Sequence, residues 1–249
     1  MSNLAAMKYY VFLFSILFLI SCQNQPKETD NQEQTTQAES VNDDLVFSTD
    51  TINRFEPEML RFDSLDQVNG YMDGGILFTG SSSIRMWSTL TEDMEGYTVL
   101  NRGFGGATIP EVLLFSNRYL TTHKPDIVVF YCGENDIAEG ASPADVLASF
   151  KTFVRVLETK MPDAELVYIT MKPSVSRWHL WEQYKAGDAL IQEFAKTKDF
   201  IKIMDCSQSM LAKNGEVKKD IFIEDNLHMN AKGYAGWTAQ LRPILATYE

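Results

Sequence analysis

Five short apolar runs, separated by stretches long enough for helices, restrict what this chain can fold into more than any other feature. The runs are Ile76–Thr79, Thr98–Asn101, Asp126–Cys132, Leu166–Met171 and Phe200–Met204. The third carries Ile127-Val-Val-Phe-Tyr131 with no polar interruption, the pattern of a strand covered on both faces. Helices are expected over Glu56–Val68, Pro110–Leu120, Pro143–Lys160 and Leu180–Lys196, with a short helix or turn over Ser83–Ser88. In the first, Leu60, Phe62, Leu65 and Val68 supply the apolar residues and Pro57 suits the first turn. A last helix is expected from Ala231 with Asn230 as its N-cap, broken or kinked at Pro243. Strands alternating with helices imply a parallel five-stranded sheet with helices on both faces, an α/β fold.

The amino terminus reads as an address. Lys8 precedes an almost wholly apolar run from Tyr9 to Ile20, too short for a membrane span of about 20 residues and suited to a signal-peptide core. Leu19-Ile-Ser-Cys22 has the form of a bacterial lipobox, cut before Cys22, whose thiol would carry the lipid anchor. Residues 1–21 are therefore expected to be a lipoprotein signal peptide and 22–50 a disordered acidic linker rich in Gln, Asn, Glu, Asp and Thr. The folded domain is expected over 51–249, on a chain anchored to the cell envelope by its lipid.

The net charge of −12 argues against a nucleic-acid partner, which would demand a basic stripe that the chain lacks. Cys132 and Cys206 sit in or just after apolar runs and read as buried thiols, although spacing leaves a disulfide between them open. No His/Cys cluster has zinc spacing, so no metal is expected.

In an open parallel sheet, ligands bind along the edge formed by the carboxyl ends of the strands. Ser81–Ser83 follow the first run, Gly103–Gly106 the second and Gly133–Asp136 the third, so polar and glycine-rich segments converge on that edge. A serine attacking a carbonyl needs a base, and the chain has three histidines. His123 precedes the third run at the opposite edge and reads as a solvated helix end. His179 lies on the correct edge without a nearby carboxylate. His228 follows Asp225 by three residues, a spacing that lets the carboxylate orient the ring. Gly106 offers backbone N–H groups and Asn135 a neutral amide to stabilise an oxyanion. Gly103-x-Gly-Gly lacks the third glycine of a dinucleotide fingerprint, and no Gly-x-Ser-x-Gly elbow is present.

Gly80-Ser-Ser-Ser-Ile-Arg-Met-Trp87, Asn101-Arg-Gly-Phe-Gly-Gly106, Gly133-Glu-Asn-Asp136 and Asp225-Asn-Leu-His228 resemble, in order, the four blocks of the SGNH (GDSL-type) hydrolases. The resemblance implies a three-layer α/β/α, flavodoxin-like fold and serine ester hydrolysis with neither metal nor cofactor. By position it implies Ser82 as nucleophile, Asp225 as orienting acid and His228 as base. Gly106 and Asn135 would be oxyanion donors beside the Ser82 N–H. The spacing to Trp87 selects Ser82 among the three serines, and Ser81 stands where the family usually has Asp. The expectation is an esterase, bacterial and lipid-anchored, working through an acyl-enzyme; a catalytically idle carbohydrate-binding lipoprotein is the competing reading. Arg177, Trp178 and His179, in the loop Lys172–Trp181, are expected to wall the substrate pocket, and tryptophan beside polar residues suits an acetylated glycan. A lysophospholipid is the alternative substrate.

Overall fold

The computed structural model describes residues 49–248. The signal segment, Cys22 and all but the last two residues of the expected linker lie outside the described residues. The chain order is α1 (Thr49–Asn69), β1 (Ile76–Gly80), α2 (Ser82–Arg85), α3 (Leu90–Asp93), β2 (Val99–Gly103), α4 (Ile109–Tyr119) and β3 (Ile127–Tyr131). It continues with α5 (Glu134–Ala138), α6 (Pro143–Lys160), β4 (Glu165–Ile169), α7 (Trp181–Ala195), β5 (Ile201–Met204), α8 (Ser207–Met210) and α9 (Ala231–Leu245). The five strands form one parallel sheet in the order β2-β1-β3-β4-β5, the doubly wound arrangement whose crevice lies where the order reverses beside β1.

Alternate strand residues feed two separate cores. Leu77, Val128, Phe130, Leu166 and Tyr168 pack under α1, α4, α6 and α7. Ile76, Phe78, Val129, Tyr131, Val167 and Ile169 pack under α2 and α9, where Trp87 and Trp237 are buried. Both sheet faces are thus covered, which is why the strands read as unbroken apolar runs. The result is the expected three-layer α/β/α fold.

Local signals explain the helix starts. Ser142 and Thr108 each close a capping box, with Asp145 and Glu111 respectively, at the heads of α6 and α4. Asn230 caps α9 by accepting from the Lys232 and Gly233 N–H groups. Pro243 does not end that helix, which runs on to Leu245; so near the last turn, the missing N–H deprives only one carbonyl.

The expectations for α1 and for His123 need correction. Helix α1 begins at Thr49, so it takes in the end of the expected linker and Pro57 lies inside it rather than in its first turn. Its buried face is Phe55, Met59, Phe62 and Asp66, a regular helical stripe, whereas Leu60 and Val68 are exposed. His123 is buried rather than solvated, with its Nδ1 accepting from the Met72 N–H at 3.0 Å. Cys132 and Cys206 are both buried and unpaired, and burial pushes both thiols up from their ordinary value.

Candidate active site

The carboxyl ends of β1, β2 and β3 are in register, with Gly80 opposite both Gly103 and Tyr131. Gly80 has φ of +122°, and a side chain there would strike the Tyr131 carbonyl at 1.9 Å, so only glycine lets the chain turn here against its neighbour strand. The turn delivers Ser81 as the residue before α2 and Ser82 as its first residue. Ser81 and Ser83 are buried, whereas Ser82 is partly exposed. Helix α2 is held from outside by the Asn101 side chain, which donates to the Ile84 carbonyl at 2.7 Å, and by the Tyr234 hydroxyl, which donates to the Ser83 carbonyl at 2.9 Å. Trp87 is buried, stacks on Tyr234 at 5.2 Å and donates to Asp93.

The segment before α9 folds back on itself, with Phe222 bridged to Met229 and the Ile223 N–H donating to the His228 carbonyl. Asn226 takes up φ of 57° at the bend, a conformation asparagine tolerates. One oxygen of Asp225 accepts from the Leu227 and His228 N–H groups, each at 2.9 Å, and the other faces His228 Nδ1 at 2.6 Å. Burial opposes the charge on Asp225, but these hydrogen bonds outweigh it and hold the carboxyl down at about 2. With Nδ1–H given to Asp225, the lone pair of Nε2 faces outward, and Ser82 Oγ lies 2.8 Å from it. Ser82, His228 and Asp225, separated by up to 146 residues along the chain, form one continuous hydrogen-bonded line.

The expected oxyanion donors follow β2 and β3, on the same sheet edge as Ser82. Neither the Ser82 nor the Gly106 N–H donates a hydrogen bond among the described residues. Gly106 has φ of +75°, a left-handed turn that aligns with glycine. Asn135, in the first turn of α5, donates through Nδ2 to the Ala107 carbonyl at 2.9 Å, next to Gly106 in the chain. Asp136 accepts from the Ile109 N–H at 3.0 Å, tying α5 to the head of α4, and burial pushes its carboxyl up to about 7.

The three expected pocket residues part company. Arg177 is turned inward, its guanidinium donating to Glu134 and to Asn135 Oδ1, each at 3.0 Å. Trp178 is 40% exposed and stacks on Trp181 with centroids 6.1 Å apart, and His179 is exposed beside it. Glu134 and Lys172, both buried and 2.6 Å apart, escaped the sequence reading. A carboxylate placed directly after a fully buried strand and a left-handed glycine was the available signal, since it demands a cation. Among the described residues no cluster of His, Cys, Asp or Glu is arranged to hold a metal ion.

The GDSL-like lipase/acylhydrolase family model matches residues 63–235, the segment that carries all four blocks. Among solved structures, a GDSL-like lipase from Bacteroides thetaiotaomicron superposes with a TM-score of 0.63 at 16% identity, covering 77% of this chain and 98% of that one. The lipase/acylhydrolase from Enterococcus faecalis gives 0.56 at 19% identity, over 71% of this chain and 97% of its own. A carbohydrate esterase family 3 protein from Talaromyces cellulolyticus gives 0.54 at 17% identity, over 71% and 98%. No curated protein sequence matches significantly. These likenesses establish the shared fold, and the family model reaches further: the chain belongs to the GDSL-like lipase/acylhydrolase family, a family of ester hydrolases.

Proposed function

We propose that this ester hydrolase works through an acyl-enzyme on Ser82. The observation that carries the reading is the line Asp225–His228–Ser82, with both neighbouring serines buried. Ser82 Oγ attacks the ester carbonyl carbon while His228 Nε2 takes its proton. The Ser82 and Gly106 N–H groups and Asn135 Nδ2 receive the oxyanion, each donor lowering the barrier by about 3–4 kcal/mol. Collapse of the tetrahedral intermediate breaks the bond to the alcohol, which leaves with the proton from Nε2. Water then attacks the acyl-enzyme by the same route, freeing the acid and restoring Ser82.

The proposed substrate is a short-acyl ester on a glycan. The stacked, partly exposed Trp178 and Trp181 lie on the active edge and suit the face of a sugar ring. A carbohydrate esterase and an acetyl esterase among the proteins of like fold support the same direction. The Leu19-Ile-Ser-Cys22 segment supports a lipid anchor at Cys22, which would hold the enzyme at the cell envelope. Loss of palmitate labelling in a Cys22→Ser chain tests the anchor.

Hydrolysis of aryl acetate, then of longer aryl esters and of acetylated glycans, by the full chain and its Ser82→Ala variant tests the chemistry. Activity in the wild type alone, falling as the acyl chain lengthens, is the expected result. Equal activity in Ser82→Ala removes the nucleophile from Ser82. An inert wild type that resists fluorophosphonate and still binds glycan would make the chain a carbohydrate-binding protein.

A further inference from the structure

Beside the oxyanion donors lies a group of buried charges that the reaction steps above do not use. The Glu134 side chain is 4% exposed and accepts on one oxygen from Lys172 Nζ at 2.6 Å and from the Tyr131 hydroxyl. Its other oxygen accepts from Arg177 at 3.0 Å. Burial opposes its charge, yet Lys172 and Arg177 hold its carboxyl below the ordinary value. Two cations around one carboxylate leave a net positive charge. Such a cluster is weak as a stabilising device, because desolvating the ions offsets their attraction. Its position suggests what it does: the same Arg177 nitrogen that meets Glu134 also meets Asn135 Oδ1.

We propose that Arg177, anchored by Glu134, is a positioning residue that aims and polarises the Asn135 amide at the oxyanion. This rests on the reading of Asn135 as an oxyanion donor. A carboxamide has two ends of nearly equal size, and a flip would present a carbonyl oxygen, with its partial negative charge, to the developing oxyanion. Two neighbours forbid the flip: the Ala107 carbonyl takes one Nδ2 hydrogen, and the Arg177 guanidinium occupies Oδ1. The second Nδ2 hydrogen has no protein acceptor among the described residues. Charge drawn toward Oδ1 by the guanidinium also strengthens that remaining N–H as a donor.

The test is a double-mutant cycle on a soluble aryl ester, with wild type, Arg177→Met, Asn135→Ala and the pair, each normalised to its folded fraction by near-ultraviolet circular dichroism. Removing an oxyanion donor lowers kcat by about 100-fold or more, and Arg177→Met is expected to lower it by about tenfold or more, with KM held. On the Asn135→Ala background the same substitution is expected to change kcat by less than about twofold, because Arg177 acts through Asn135. Arg177→Ala is expected to regain activity with millimolar guanidinium. Multiplying losses in the double variant, a change in KM alone, or unchanged kcat in Arg177→Met would each overturn the proposal while leaving Ser82 as nucleophile. A wild type inert toward esters and unlabelled by fluorophosphonate would overturn the Ser82 reading, and this one with it.

Discussion

His123 and His228 each lie beside an aspartate, Asp66 at 3.4 Å and Asp225 at 2.6 Å, yet their rings are wired in opposite senses. In His123 the lone pair of Nδ1 is already taken by the Met72 N–H, so a neutral ring must carry its proton on Nε2, the nitrogen that faces Asp66. At 3.4 Å that nitrogen makes no directed hydrogen bond, and the ring has no free lone pair. In His228 the proton sits on Nδ1, held by Asp225, and the lone pair of Nε2 meets a hydroxyl at the open edge of the sheet. An Asp–His pair is therefore no sign of a base until the second ring nitrogen is accounted for. The surroundings differ to match. Asp66 serves Arg102 as well as His123, all three being buried, while the Asp225 side chain is 43% exposed and bound to backbone N–H groups of its own turn.

The comparison breaks most sharply at the serine line. Ser82→Ala or His228→Gln is expected to lower kcat on an aryl ester by roughly a millionfold, whereas His123→Gln leaves kcat per folded molecule unchanged. A kcat for Ser82→Ala within tenfold of wild type would dissolve the distinction. Asp225→Asn comes next. It keeps the shape of the turn but favours the wrong tautomer of His228, and a loss of about 10,000-fold in kcat is expected from steady-state kinetics.

The two pairs also differ in how they could be read from the amino-acid sequence. Asp225 and His228 are three residues apart in one turn, so a local pattern reveals them. The strands and the cap at Asn230 were legible for the same reason, since each depends on neighbours within a few residues. The bounds Pro143–Lys160 follow directly from a proline after its cap and a helical apolar period. Asp66 and Arg102 are 36 residues apart and meet only when α1 docks on the sheet, so His123 looked like a solvated helix end. A clue existed: Asp66 extends the stripe Phe55, Met59, Phe62 by a further turn, and a carboxylate on a buried face demands a partner. The same holds for Glu134 and Arg177, 43 residues apart, where the sequence could place both on the active edge but not join them.

At the buried pair the effect is on stability. Asp66→Asn leaves Arg102 charged and uncompensated, with both side chains at most 5% exposed. A loss of about 3–5 kcal/mol is expected in denaturant unfolding, with kcat per folded molecule near that of wild type. A loss below about 1 kcal/mol would mean that the ion pair contributes no more than a surface pair does.

The smallest effect is the pH dependence that His123 gives to stability. Burial, reinforced by the Arg102 charge and only partly offset by Asp66, holds His123 below its ordinary value of 6.5. The folded protein therefore binds the His123 proton less readily than the unfolded chain does. Below pH 6.5 the unfolded state takes up protons that the folded state refuses, so stability falls as pH drops through that range. His123→Gln removes the titrating group and keeps an oxygen to accept from the Met72 N–H. Its denaturant midpoint is expected to vary less than that of wild type between pH 7 and 5, while kcat per folded molecule stays that of wild type. A variant that keeps the full stability slope would assign the slope to other groups and leave His123 as packing alone.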